Sequence, residues 1–267
     1  MIVAICKRIF IVAMFVILSA PLFIVAGVSL NAKKLMFFPP RGLSLKWYPE
    51  VFEKTVWLDA LTTSLTIAIF GAALAVSIAL PTSYFLWRYR VTYAKVLFGL
   101  GLVPFSLPPV ITALGMLIFW SQWIGYAGRI ENIVIAHGVF LVTLPMVMIS
   151  LGLESIDREL LEAAETMGAG RRKVFSTIIL PMVVPYMFAG YAFVFVVSMN
   201  EYIISFFLGQ SATITLPVQI LASLRSGYSP VTASVAVMFI LLAVVVFSLV
   251  ARFSDLPKLL GAWSPKE

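Results

Sequence analysis

The sequence has little of what chemistry at a soluble active site usually requires. It contains a single histidine, His137, a single cysteine, Cys6, and charged residues make up only 12% of its 267 positions. One cysteine excludes a disulfide scaffold and reports nothing about redox compartment. One histidine in an apolar run has no partners from which to build a metal site, and it is read as a hydrogen-bonded interior residue. No G-x₄-G-K-[ST] segment is present, so the chain cannot cradle nucleotide phosphates by that device. Low-complexity tracts and Gly/Ser linkers are missing too, which argues against disorder and against division into separate domains.

What is abundant is apolar: 61% of residues are hydrophobic, and mean hydropathy is +1.04. Soluble proteins carry about 25% charged residues, so this composition belongs in a bilayer. The formal charge of +7 does not point to nucleic acid, because the basic residues sit in short segments between apolar runs, where they orient a membrane protein.

A helix needs about 20 mostly apolar residues to cross the hydrocarbon layer. Six stretches qualify, at 9–30, 60–86, 96–119, 130–153, 181–208 and 231–251. The expected fold is therefore all-α and polytopic, one bundle over 1–267 with six transmembrane helices. The first stretch follows Lys7 and Arg8 as a signal peptide would, but its apolar run exceeds the usual length and no clear cleavage site follows, so it is read as a retained helix. With both termini in the cytoplasm, 12 of the 19 Lys and Arg residues lie inside. The inside set includes Arg90, Lys258 and Lys266; five of the seven outside residues share one loop of nearly thirty residues. Trp47, Trp57, Trp87, Tyr89, Trp120, Trp123 and Tyr126 fall near predicted span ends and are read as interfacial anchors.

The charged segment between the fourth and fifth stretches, about 154–180, is too long for a turn. Ile156, Leu160, Ala163, Ala164 and Met167 recur at three and four, which predicts a short helix with one apolar side. Asp157, Arg158, Glu159, Glu162 and Glu165 surround that side, and Gly168 offers a C-terminal stop. Such a helix can lie in the membrane interface or fit a groove on a soluble partner. Its surplus of acidic residues favours the partner.

Within this segment, Glu162-Ala163-Ala164, Gly168 and then Ile178-x-Leu180-Pro181 resemble the EAA motif of membrane subunits of bacterial ABC importers. The order and spacing Glu-Ala-Ala-x₃-Gly-x₉-Ile-x-Leu-Pro agree throughout. Gly42-Leu43-Ser44-Leu45-Lys46-Trp47-Tyr48, Leu216-Pro217 and Ser229-Pro230 resemble the spermidine/putrescine branch of these permeases. The resemblance implies a transport subunit rather than an enzyme, a multi-pass protein of the inner membrane. It further implies a second, similar permease, two copies of an ATP-hydrolysing subunit and a periplasmic solute-binding protein as partners. No cofactor is expected in this chain, since ATP and Mg would be held by the ATPase. On this resemblance, Glu162, Ala163, Ala164 and Gly168, with Leu160 and Met167 beside them, form the coupling helix. Glu162 would be the polar contact, the alanines would permit close approach, and Gly168 would make the turn.

Glu201 is the ionisable residue least easily placed in a loop. A carboxylate at membrane depth is costly and normally faces a bundle interior or a wet cavity. Ser198 and Ser205 lie three before and four after it, a polar stripe if the helix is continuous; Asn200 and Tyr202 flank it. These five residues are the candidate solute pathway. The alternative for Glu201 is pairing with a second permease or a place near the outer interface. Relatives of the polyamine branch often carry an acidic pair here, and Asn200 departs from that pattern. Polyamine is the leading solute, with a γ-amino acid or an aminophosphonate as alternatives and an ion-driven secondary transporter as the competing class. Pro104, Pro108 and Pro109 predict a bend in the third stretch. Residues 213–226 form a short amphipathic piece on the outer side, re-entrant or interfacial.

Overall fold

The computed structural model describes residues 2–89, 91–125, 127–227 and 229–253. Tyr126, one of the expected anchors, and Arg90, Lys258 and Lys266 of the charge argument lie outside the described residues. Among the described residues the regular structure is helical, apart from one isolated bridge between Asn31 and Leu43. They fall into two compact units. One is drawn from Met1–Asp59 and Gln219–Val244, the other from Ala60–Val218 and Val245–Glu267.

In the first unit, α1 (Ile2–Ser29) carries a strongly apolar stretch within Cys6–Ser29, and none of that stretch is buried inside the protein. An exposed apolar surface of this length suits a lipid environment, which removes it from water. The segment after it, expected as a loop, is an ordered cap. Asn31 organises it: its amide nitrogen donates to the Phe37 carbonyl at 2.5 Å, and its side-chain oxygen accepts from the Arg41 N–H at 2.8 Å. Its carbonyl accepts from the Trp47 indole at 2.5 Å. Helix α2 (Trp47–Glu53) closes the cap. Trp47 and Trp57 are each only 6% exposed, so they are packing residues of the protein rather than interfacial anchors. Sequence position near a span end does not reveal that the indole of Trp47 bonds into a folded loop. Trp123, by contrast, is 78% exposed.

The second unit holds most of the membrane-spanning helices. Helix α3 (Thr55–Tyr89) has 35 residues, about 52 Å at 1.5 Å per residue, longer than the hydrocarbon layer. The third predicted span is two helices, α4 (Thr92–Ser106) and α5 (Pro109–Ile118), the latter continued by a π-helical turn, Phe119–Ile124. They bend by 110°. Leu107, preceding Pro108, is extended at ψ 150°, as the residue before a proline prefers, and Pro109 opens the next helix without needing an N–H. The fourth span likewise divides into α6 (Ile130–Phe140) and α7 (Thr143–Glu154), at 43°. Pro145 cannot donate to the Leu141 carbonyl and its ring crowds that group, so the helix cannot run straight.

After α8 (Arg158–Thr166), the fifth span starts earlier and ends earlier than expected. Helix α9 (Arg171–Val174), a π-helical turn (Phe175–Ile179) and α10 (Leu180–Asn200) form one run from Arg171 to Asn200. The wide turn, in which the Leu180 N–H bonds the Phe175 carbonyl, accommodates a proline that cannot join an i→i−4 ladder. A separate helix, α11 (Ile203–Gly209), follows a break at Glu201–Tyr202. Then come α12 (Leu216–Ser226), which accounts for most of the expected outer amphipathic piece, and α13 (Pro230–Phe253).

Helices α7 and α10 approach very closely. A Cβ on Gly190 would lie 2.8 Å from the Pro145 Cα, a backbone atom that cannot swing aside; small residues let helix backbones meet in a membrane. The apolar cluster around this contact includes Met146, Ile149 and Leu153 of α7 and Val183 of α10, and it continues without interruption into Ile156, Leu161 and Ala164. The loop helix α8 is thus packed into the same core as the spans.

Candidate functional sites

Helix α8 begins and ends as its sequence dictates. Asp157 caps the start, its carboxylate accepting from the Glu159 N–H at 3.0 Å. At the end Gly168 takes φ +82°, its N–H bonds the Glu165 carbonyl, and the Ala169 N–H bonds the Ala164 carbonyl, both at 3.0 Å. This is a Schellman stop, in which the left-handed residue costs a β-carbon little only if it has none.

The five apolar residues expected to form one face occupy two. Ile156 and Ala164 turn inward with Leu161, at 5%, 7% and 3% exposure. Leu160 and Met167 turn outward, at 45% and 83% exposure, with Ala163 exposed between them and Glu162 also in solvent. Of the two alanines of the motif, only Ala163 is therefore available to another molecule. The reason is packing: periodicity locates an apolar stripe, but the bundle covers half of it. Arg88, at the end of α3, forms an ion pair with Glu165, and a cleft of about 220 Å³ beside it is walled by Trp87, Tyr89, Arg158 and Glu162.

The second site is the break in the fifth span, and here the expected continuous stripe is corrected. Helix α10 stops at Asn200, and Glu201 is extended at φ −74°, ψ 115°. Its carboxylate takes over the role of a helix cap: Oε1 accepts from the Ile203 N–H at 2.9 Å and Oε2 from the Ser205 N–H at 3.1 Å. Ser198 and Ser205 therefore belong to different helices. They still converge, through a residue that sequence reasoning had left out of the site. His137 of α6 is fully buried; its Nδ1 lies 2.7 Å from the Ser198 hydroxyl and its Nε2 3.2 Å from that of Ser205. Its Nε2 also lies 3.5 Å from Glu201 Oε2, and the Glu201 side chain is only 9% exposed.

The interior placement of His137 agrees with the sequence reading, and its partners are new. A signal for them was present: a lone histidine in one apolar run and a lone carboxylate in another each need a polar partner. Asn200 is exposed, its amide donating to the Val196 carbonyl at 2.9 Å, and Tyr202 stacks on Phe206 with ring centroids 5.4 Å apart. Among the described residues, no group of three or more His, Cys, Asp or Glu side chains comes together as a metal site.

These features define a class: a polytopic helical membrane protein with a partly exposed amphipathic helix between its spans and, among the described residues, a polar break within the fifth span. Residues 71–256 match the family model described as the inner membrane component of binding-protein-dependent transport systems, and the chain belongs to that family. It is accordingly a multi-pass inner-membrane transport component, not an enzyme. It is 31% identical over 223 residues to the putrescine transport system permease protein PotI of Escherichia coli, covering 81% of this chain and 79% of that one. To the spermidine/putrescine transport system permease protein PotC of Haemophilus influenzae it is 29% identical, over 78% of this chain and 81% of the relative. In fold it is similar to a chain of a bacterial ABC transporter that imports alginate, with a TM-score of 0.72, 16% identity and coverage of 94% and 96%. It is also similar to a chain of the MetNI methionine ABC transporter, with a TM-score of 0.63, 16% identity and coverage of 79% and 98%.

Proposed function

We propose that the chain is one of two permease subunits of an ATP-driven importer for polyamines, spermidine or putrescine, acting as a single transmembrane domain with its N-terminus in the cytoplasm. The observation that carries the solute class is the similarity, along most of both chains, to permeases named for those solutes. The partners are a second, similar permease, a pair of ATPase subunits that hold ATP and Mg, and a periplasmic solute-binding protein.

Helix α8 is the coupling helix. Its exposed Leu160, Ala163 and Met167 enter a groove of the ATPase, and Glu162 makes the polar contact at the rim. Its inner face shares a core with α7 and α10, so a push on the helix moves packed side chains rather than a loose loop. Solute passes the break in the fifth span, where Ser198, Asn200, Glu201, Tyr202 and Ser205 lie.

The test is copurification with a C-terminal tag, followed by reconstitution of whatever complex is recovered. The expected outcome is recovery of an ATPase and a second permease, and uptake of radiolabelled putrescine or spermidine that requires ATP and the binding protein. Transport by the chain alone without ATP would refute the reading. Orientation has its own check. A reporter fused after Arg41 is expected to be periplasmic and one after Arg172 cytoplasmic; the reverse pattern would invert the topology.

A further inference from the structure

Glu201 is placed where a cation-binding carboxylate would be sought, yet its oxygens are already engaged. One accepts a hydrogen bond from the Ile203 N–H; the other accepts from the Ser205 N–H and faces His137 at 3.5 Å. A carboxylate with two backbone donors and an imidazole around it has little left for a passing ammonium group, and freeing it would leave those donors unpaired in a buried place. His137 is equally committed. Its two nitrogens bridge the hydroxyl of Ser198, near the end of α10, and that of Ser205, in the first turn of α11. The pair thus holds both sides of one break from a third helix, α6. The two residues that flank Glu201 in sequence behave differently: Asn200 is exposed and Tyr202 partly exposed.

We propose that Glu201 and His137 are positioning residues, a clamp that fixes the geometry of the break between α10 and α11, and that Asn200 and Tyr202 are the groups this break presents to the solute. The proposal rests on the solute-pathway reading above and divides its residues into two roles. The serines belong to the clamp. Solute discrimination falls to an uncharged amide and a phenol, so the charge of Glu201 sets the shape of the path rather than its preference for cations.

The experiment uses the whole reconstituted complex in lipid, with radiolabelled putrescine and its loaded binding protein as the probe, and backbone hydrogen exchange over 200–209 as a readout that needs no solute. Glu201→Gln keeps one acceptor and loses the second, and His137→Phe removes both serine bridges. Each is expected to speed exchange over 203–209 by about fivefold and to lower the maximal uptake rate by about tenfold with KM little changed. The double variant is expected to be no worse than the more damaging single change, because the groups act as one unit. His137→Gln, which keeps a donor and an acceptor, is expected to restore most of the exchange protection. Asn200→Ala is expected to raise KM by about fivefold with exchange unchanged.

Unchanged exchange in both single variants, or losses that add in the double variant, would overturn the clamp. A roughly tenfold rise in KM for Glu201→Gln with an unaltered maximal rate would make the carboxylate a solute ligand and overturn the division of roles. If the unmodified complex carries neither putrescine nor spermidine, the polyamine reading fails instead, and the exchange data still decide the clamp.

Discussion

Helix α8 and the break after α10 both present acidic residues beside small or hydroxyl-bearing ones, and they treat the charge in opposite ways. On α8, Glu159 and Glu162 stand in solvent, where ionisation costs little and the side chain is available to another molecule, while the exposed Glu165 pairs with Arg88. At the break, the single carboxylate of Glu201 is 9% exposed and is met by two backbone N–H groups and an imidazole. The difference teaches what each region is built to do. An exposed charge on a helix with a free apolar face is a surface that can bind. A buried charge with its bonds satisfied is a structural joint, since the desolvation it incurs is offset only while the geometry holds.

The sharpest way to break this comparison is to put a charge on each side of α8. Leu161→Asp buries an unpaired carboxylate in the core shared with α7 and is expected to destabilise by roughly 3–5 kcal/mol, seen as loss of folded protein in membranes. Met167→Asp is expected to accumulate normally and to lose ATPase copurification. Equal accumulation of the two variants would mean that the faces are misassigned.

Next in size are changes at the stop and at the polar rim. Gly168→Asp places a side chain at φ +82° with no neighbour within 4 Å of its Cβ, so the cost is backbone strain alone, about 1–2 kcal/mol. It is expected to leave the bundle inserted while uptake falls by about tenfold, and Glu162→Lys is expected to do the same with less effect on thermal stability. Normal coupling between uptake and ATP hydrolysis in both would remove the docking role from α8.

The smallest expected effect is that of Arg88→Ala. Its ion pair with Glu165 is partly exposed on both sides, 28% and 41%, and such pairs contribute about 0–1 kcal/mol. A shift in thermal midpoint of no more than a few degrees is expected. A collapse of folding would show that the pair holds α8 to α3 structurally and is not a surface tether.

Part of α8 was legible beforehand. Its stop at Gly168 and its apolar spacing are local properties, readable from residues a few positions apart; the cap at Asp157, which the sequence reading counted only as surrounding charge, came from the structure. The division of that spacing into a covered and a free face was not legible, because what covers Leu161 and Ala164 comes from distant helices. The break was less visible still. Glu201, Ser198 and Ser205 were singled out as polar residues in an apolar run, but a helical period applied to them assumes the helix continues. Glu201 caps α11 and ends that assumption, and the residue that joins the two serines, His137, lies on another span. Trp47 and Trp57 repeat the lesson: rings near span ends that suit an interfacial anchor are buried in the protein, Trp47 with its indole bonded into the Asn31 cap.

By itself the sequence determined that this chain lives in a bilayer, how many apolar runs it offers, and where a charged helix with an importer motif interrupts them. Those properties follow from composition, run length and local hydrogen bonding, which need no distant partner. Tertiary structure alone decided which face of α8 remains free, that the fourth and fifth runs divide as well as the third, and that His137 and Glu201 meet. Burial and the pairing of buried polar groups are relations between residues far apart in the chain, and only the packed helices bring them within reach.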